Sequence, residues 1–302
     1  MENKKIPIVS IGMPVFNGGK FLRVALDSLL NQTYSNFELV FSDNGSTDDT
    51  KAIIQDYASR DERIKLKFQK NNIGSTNNFK FVLNEAIGEY FMWAAHDDKW
   101  DSNYLDELVK THEKHSDLSL VFGKYSMMNE EGKVFQNGRN NLFKHKRLNI
   151  DYRNPLMLNA IIYYLDRNPF KIYGLFRTID LKSIPQKLFL GSPQNAENLF
   201  LIHFLSNYKA FESFNTTFYY RVPYNPKYPK QIAEDPNYKI PSHFKIEKHF
   251  LLETINFLYK KNNVVKYLHI LLMLISFPIA LLKPFIMKFY YGLKGREINI
   301  LP

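Results

Sequence analysis

Phe37-Glu38-Leu39-Val40-Phe41-Ser42-Asp43-Asn44-Gly45-Ser46-Thr47-Asp48 reads as a largely apolar strand running into a polar, turn-forming cluster. The same design occurs twice more in the first third of the chain. Ile8 to Met13 leads into Pro14-Val15-Phe16-Asn17, and Tyr90 to Ala95 leads into His96-Asp97-Asp98. Helical spacing fills the gaps: Leu22, Leu26, Leu29 and Leu30 share one face, and a helix from Thr76 to Ala86 is closed by Gly88. Such alternation predicts an α/β domain with an open sheet. The carboxyl ends of its strands line one crevice where ligands bind, and polar groups collected at that edge point to a chemical site.

Further along, Ile64 to Phe68 alternates with Arg63, Lys65 and Lys67 and reads as a half-exposed strand. Ser46 or Thr47 is expected to cap the helix after the second strand, with Asp48 and Asp49 in its first turn. Asp101-Ser102 opens another helix, and Leu118 to Phe122 forms another strand. In the second half, Phe170 to Phe176 and Phe211 to Tyr220 read as strands, and Pro155 to Leu165 and Asn195 to Asn207 as helices. Residues 138–154 carry Arg139, Lys144, Lys146, Arg147 and Arg153 and read as a basic loop.

The chain has 302 residues, enough for one α/β domain of about 200 residues plus an appendage. It has no cysteine, which excludes disulfides and thiolate metal sites. A formal charge of +10 and a pI near 9.4 favour anionic partners such as sugar diphosphates or an anionic membrane surface. No nucleic-acid recognition module is visible, so nucleic acid is not expected as a partner. Met1 to Lys5 is short and polar, and no signal peptide is expected.

The three clusters resemble the inverting glycosyltransferases of family 2, in order and in spacing. That family's first strand ends in Pro-x-Tyr/Phe-Asn, matched by Pro14, Phe16 and Asn17. Its second ends in Asp-Asp/Asn-Gly/Ala-Ser-x-Asp, matched by Asp43, Asn44, Gly45, Ser46 and Asp48. An Asp-x-Asp or Asp-Asp motif follows a later strand, matched by Asp97-Asp98. The resemblance spans roughly residues 6–220 by motif placement. It implies a GT-A fold: a Rossmann-like mixed sheet flanked by helices, here in residues 1–222 and followed by a C-terminal helical extension. It also implies transfer of a sugar, with inversion, from a nucleotide-sugar donor, a UDP-sugar by expectation, to a hydroxyl of a glycan or lipid-linked glycan.

The resemblance assigns roles residue by residue. Asp97 and Asp98 are expected to hold Mg²⁺ or Mn²⁺, hard cations that bind through one or two carboxylates plus phosphate. The fuller family pattern has a further acidic residue where this chain has Ala95. Asp43 is expected to accept a hydrogen bond from the nucleobase or ribose, with Pro14, Phe16, Asn17, Asn44 and Ser46 completing the donor site. Asn44 stands where a second Asp is common, and the amide keeps hydrogen bonding without the charge. The base that deprotonates the acceptor is expected in Gly191-Ser192-Pro193-Gln194-Asn195-Ala196-Glu197-Asn198, where Glu197 is the sole carboxylate. Arg221 is expected near the diphosphate, with Lys80 and Arg177 as weaker candidates. Each motif also has a plainer reading. Asp43 to Asp48 suits a turn and helix cap, Asp97-Asp98 a helix cap, and Glu197 a first-turn residue favoured by the helix dipole.

Residues 223–242 form a Pro- and Tyr-rich connector, and 243–302 carry two helical segments, about 243–261 and 264–291. Tyr267 to Leu282 has no formal charge and as a helix would be about 24 Å long, short of the ~30 Å hydrocarbon core. Pro278 would kink it, and Lys283, Lys288, Lys294 and Arg296 follow. This pattern suits a helix lying in an anionic membrane interface, and also a buried helix or dimer contact. The expected location is cytoplasmic, peripheral on the inner face of the cell membrane. Two rival functions stand beside the transferase. A catalytically degenerate sugar-nucleotide-binding scaffold draws on Ala95, Asn44 and Asn198. A sugar nucleotidyltransferase would want a longer glycine-rich loop than Gly18-Gly19-Lys20.

Overall fold

The computed structural model describes residues 6–135, 169–184 and 196–222. The basic loop, the helix expected over 155–165, the connector and the C-terminal helices lie outside the described residues. Within them, β1 (Val9–Val15), α1 (Gly19–Leu30), β2 (Phe37–Asp43), α2 (Thr50–Arg60), β3 (Ile64–Phe68), α3 (Ser75–Glu85) and β4 (Tyr90–Trp93) alternate as the periodicity predicts. There follow β5 (Lys99–Trp100), α4 (Tyr104–Lys114), β6 (Leu120–Met128) and β7 (Val134–Phe135). A short 3₁₀ helix (Pro169–Tyr173), β8 (Leu175–Arg177), α5 (Thr178–Lys182), α6 (Ala196–Leu205) and β9 (Ala210–Arg221) complete the order.

The described strands form one mixed sheet in the order β3-β2-β1-β4-β8-β6-β9-β5, with β7 paired to β6. β1 is parallel to both β2 and β4, with Val9 opposite Phe37 on one side and Tyr90 on the other. The first three strands wind away from β1 in one direction, and β4 lies on its opposite side. Strand order therefore reverses between β1 and β4, and that switch point opens a crevice at the carboxyl ends. β8 enters between β4 and β6, antiparallel to both.

Two cores cover the two faces of the sheet. The period-2 alternation of β4 shows the division: Tyr90 and Met92 pack with Leu22, Leu26 and Leu105, while Phe91 and Trp93 pack with Val82, Phe176 and Phe200. Gly12 is needed at the centre of β1, because a Cβ there would come within 2.6 Å of the Phe91 ring.

Two expectations are corrected. Phe170 to Phe176 is not a single strand but the 3₁₀ helix followed by β8. With three residues per turn, Phe170 and Tyr173 share a side, and both rings meet Phe218, at 6.2 and 4.9 Å. The helix after β2 begins at Thr50 with Asp49 as its N-cap residue, so neither Ser46 nor Thr47 caps it. Those two residues hold Asn17 instead.

Candidate functional site

The loops after β1 and β2 are laced together. Asn17 adopts a positive φ of 51°, and its N–H donates to Ser46 Oγ at 2.9 Å. Its Oδ1 accepts from Thr47 N at 2.8 Å. Beside it, Gly18 N donates to Thr50 Oγ1, and Gly19 N donates to Asp48 Oδ2 at 3.0 Å. The other oxygen of Asp48 accepts from Thr50 N at 3.0 Å. One carboxylate thus braces the start of α1 against the start of α2. Partial burial pushes the Asp48 pKa up, but the hydrogen bonds from Thr50 and Gly19 outweigh it, and the net shift is downward.

Asp43 is buried at the end of β2, and its Oδ1 accepts from Ser46 N at 3.1 Å. Asn44 is buried too, with both ends of its amide engaged. Nδ2 donates to Asn72 Oδ1 at 2.9 Å, and Oδ1 accepts from Ile73 N at 2.8 Å. Asn44 therefore fixes the loop before α3. Pro14 is buried within β1, Phe16 is half-buried, and Asn17 is exposed at the rim.

After β4 the chain turns through His96, Asp97 and Asp98. His96 packs on Gly18, where a Cβ would lie 2.6 Å from the imidazole. Asp97 is half-buried and Asp98 fully buried. Asp98 Oδ1 accepts from Arg221 N at 2.8 Å, and its Oδ2 is buried without a hydrogen-bond partner. Burial, reinforced by the neighbouring Asp97 carboxylate, raises the Asp98 pKa well above the usual range.

Arg221 is placed differently from an open phosphate ligand. It is buried, with its guanidinium 4.4 Å from the Phe21 ring. Nε donates to Asp97 O at 2.7 Å, and Nη1 donates to Asn129 O and Glu130 O at 2.9 and 2.7 Å. It pins the Asp97-Asp98 turn to the end of β6. Arg177 is opposite Tyr90, the first residue of β4, and so lies at the far end of the sheet from the crevice.

Glu197 lies in the first turn of α6. Its own surface is exposed, yet the protein crowded around it desolvates the carboxyl and raises its pKa. Two tyrosines that sequence reasoning missed report how close the acidic groups lie. Burial raises Tyr173 strongly and Tyr220 to about 12, and the charges of Asp98, Asp97 and Glu197 add to both. Asp97, Asp98 and Glu197 thus all lie within electrostatic reach of Tyr173 and Tyr220. The alternation of β9 next to Arg221 was the available signal for Tyr220.

Among the described residues, no three His, Cys, Asp or Glu side chains group as a metal cluster. Asp97 and Asp98 nevertheless fit a hard divalent cation that takes its remaining ligands from a diphosphate. The unpartnered Asp98 Oδ2 is the observation in favour.

The family described as "Glycosyl transferase family 2" matches this chain over residues 10–171. TuaG of Bacillus subtilis (strain 168), a glycosyltransferase named for teichuronic acid biosynthesis, is 31% identical over 132 residues, covering 44% of this chain and 52% of that protein. The chain matches 18% to 52% of the length of the curated relatives it resembles. The solved structure of S. aureus TarS 1-349 in complex with UDP superposes with a TM-score of 0.58 at 17% identity, over 89% of this chain and 71% of that one. The mannosyltransferase PcManGT from Pyrobaculum calidifontis, in complex with GDP-Man and Mn²⁺, gives 0.59 at 16% identity, over 92% and 73%. These likenesses show the GT-A fold.

Proposed function

This chain belongs to glycosyl transferase family 2, and from that premise we propose that it moves a sugar from a nucleotide-sugar donor, a UDP-sugar, to a hydroxyl of a glycan or lipid-linked glycan with inversion. The observation that supports the reading is that Asp97 and Asp98, in the turn after β4, and Glu197, in the first turn of α6, all act on the same two tyrosines, Tyr173 and Tyr220. The nucleotides in the TarS and PcManGT structures support a nucleotide-sugar donor. The polysaccharide role in the name of TuaG supports a glycan acceptor.

In this reading the nucleoside lies over the ends of β1 and β2. The buried Asp43 carboxylate is a hydrogen-bond acceptor there, Phe16 a packing surface, and Asn17 and Ser46 hold the loop that carries them. Asn44 acts at one remove, through the loop before α3. Asp97 and Asp98 would hold a divalent cation, which supplies Lewis-acid neutralisation of the departing diphosphate. Arg221 keeps the two carboxylates in place through Asp97 O and Asp98 Oδ1. The acceptor oxygen forms its bond to the anomeric carbon as the bond from that carbon to the diphosphate breaks. The electron pair leaves with the diphosphate, and the acceptor proton passes to the Glu197 carboxylate.

Among the described residues no helix is long and apolar enough to cross a membrane. Peripheral attachment at the inner face of the cell membrane is assigned to residues 243–302, on the uncharged Tyr267 to Leu282 run and its flanking lysines. Deleting 264–302 is expected to stop co-sedimentation with anionic liposomes. Thermal-shift measurement with UDP- and GDP-sugars, with and without Mn²⁺, tests the enzyme reading, because a ligand of the folded state raises Tm by mass action. A Mn²⁺-dependent rise for one donor, with release of the nucleoside diphosphate on transfer, is expected. No rise for any donor would remove the reading, and binding without turnover would favour the degenerate scaffold.

A further inference from the structure

β6 and β9 run parallel, with Tyr125 opposite Phe218 and Met127 opposite Tyr220. Phe170 from the 3₁₀ helix lies over this pair of strands. Its ring centroid is 4.7 Å from that of Tyr125, 4.7 Å from Tyr220 and 6.2 Å from Phe218. Phe218 is buried beneath, while Tyr125, Phe170 and Tyr220 remain half-buried. The result is a packed aromatic surface, held by a buried ring and partly open to solvent.

Its place in the fold matters more than its composition. Tyr220 immediately precedes Arg221, whose N–H donates to Asp98 Oδ1 at 2.8 Å. The aromatic surface therefore begins one residue from the carboxylate turn. Across the sheet, Asp43 ends β2, Phe16 follows β1, Asp97 and Asp98 follow β4, and Tyr220 is on β9 beyond β8 and β6. A donor seated on β1 and β2 leaves the β6–β9 side to the second substrate.

We propose that Tyr125, Phe170 and Tyr220 form a stacking subsite for a sugar ring of the acceptor, a reading that rests on the glycosyl transfer argued above. A pyranose presents an apolar C–H face and a rim of hydroxyls. Aromatic faces carry negative quadrupole density that attracts C–H groups, and a tyrosine adds a polar handle at its edge. A tyrosine phenol keeps its proton at neutral pH, and so does that of Tyr220. It can therefore donate to a sugar hydroxyl but not act as a base. Acceptor stacking would set ring orientation and bring a free hydroxyl towards Glu197.

Saturation-transfer NMR tests this, using the full chain with UDP and Mn²⁺. The probes are methyl glycosides of glucose, galactose, mannose, N-acetylglucosamine and N-acetylgalactosamine. At least one glycoside is expected to receive saturation at its ring C–H protons. Tyr220→Ala should weaken that glycoside about five- to tenfold, the range of an aromatic contact, and Tyr220→Phe much less. UDP signals should be unchanged in both variants. Tyr125→Ala serves as the second variant should Tyr220→Ala fail to fold, and is expected to give the same loss. If UDP binds but no glycoside is saturated, or if folded Tyr220→Ala and Tyr125→Ala both retain the glycoside, the subsite is refuted while the transfer reading stands. If UDP itself does not bind, the reading beneath it fails, and the subsite with it.

Discussion

Trp93 and Phe200 meet edge to face, with ring centroids 5.9 Å apart and planes at 88°. Trp93 is the last residue of β4, just before the turn to Asp97, and Phe200 is one helical turn beyond Glu197 on α6. The contact joins the two segments that carry the acidic groups. It is embedded in an aromatic cluster: Trp93 also meets Phe91 at 4.9 Å and Phe176 at 5.7 Å, and its Nε1 donates to Phe79 O. Along α6, Phe200, Leu201, Ile202, Phe204 and Leu205 are all buried, so the half of the helix beyond Glu197 is anchored in the core.

Phe200→Ala should destabilise the protein by about 3–5 kcal/mol, the usual cost of deleting a buried ring. The urea midpoint measures it, with m unchanged. Sugar transfer should fall further than donor binding, because α6 loosens while the ends of β1 and β2 are untouched. Phe200→Leu should recover most of both.

How far the sequence reveals this site depends on how local each signal is. The turns after β1, β2 and β4 were legible because strand, turn residues and helix follow one another within a few positions. The partners of those turns were not. Asn44 reads as a base-binding residue until its amide is found tied to Asn72 and Ile73. Arg221 reads as an open cation until its guanidinium is found on the carbonyls of Asp97, Asn129 and Glu130. Those contacts join residues about 30 to 120 positions apart, and no periodicity encodes them. The insertion of β8 between β4 and β6 was hidden for the same reason. The 3₁₀ helix reads as a strand in the sequence because buried aromatic residues look alike in either period over so short a run.

Asp97→Asn should abolish Mn²⁺-dependent UDP binding and leave Tm nearly unchanged. Asparagine keeps the main-chain oxygen that accepts from Arg221 Nε, so the turn survives while one charge is lost. Calorimetry of UDP with and without Mn²⁺ decides it. Equal affinity in the variant and the parent would remove Asp97 from the metal site.

Arg221→Lys should cost about 2–4 kcal/mol, because an ammonium cannot reproduce a planar fork directed at separate carbonyls, and those left unpaired are buried. The Asp97-Asp98 turn should loosen, so Mn²⁺-dependent UDP binding weakens as well. A phosphate-contact role alone would weaken UDP binding without the drop in the urea midpoint.

His112 makes stability depend on pH. It is buried on α4 and stacked on Tyr90 at 4.6 Å. Its Nε2 is 2.9 Å from Leu175 O and so carries the proton, which leaves the buried Nδ1 without a partner. Burial, with a smaller contribution from Arg177, lowers its pKa from 6.5 to about 4. Between those values the unfolded chain binds the proton and the folded chain does not. The stability it contributes is therefore complete above about pH 6.5 and is lost as pH falls towards 4, by about 3 kcal/mol in all. His112→Gln keeps a donor for Leu175 O and should flatten that slope in urea titrations at successive pH values.

Glu197→Gln should leave donor affinity intact and lower transfer by about 10²–10⁴, the usual worth of a general base. Glutamine keeps the shape and removes the proton acceptor. Donor binding should survive because it depends on Asp43, Phe16 and the Asp97-Asp98 pair, which are carried by other elements. The pH profile supplies a signature that a structural role would not. Burial raises the Glu197 pKa above the ordinary 4.5, and the base is active only as the carboxylate. Transfer should therefore rise with pH along a limb centred above 4.5, and that limb should vanish in Glu197→Gln while the Mn²⁺ dependence of UDP binding remains. Acceptor must be present in the assay, since donor hydrolysis by water does not need the same geometry. A wild-type rate and an unchanged limb in the variant would leave Glu197 a first-turn helix residue, and would move the search for the base to Asp98.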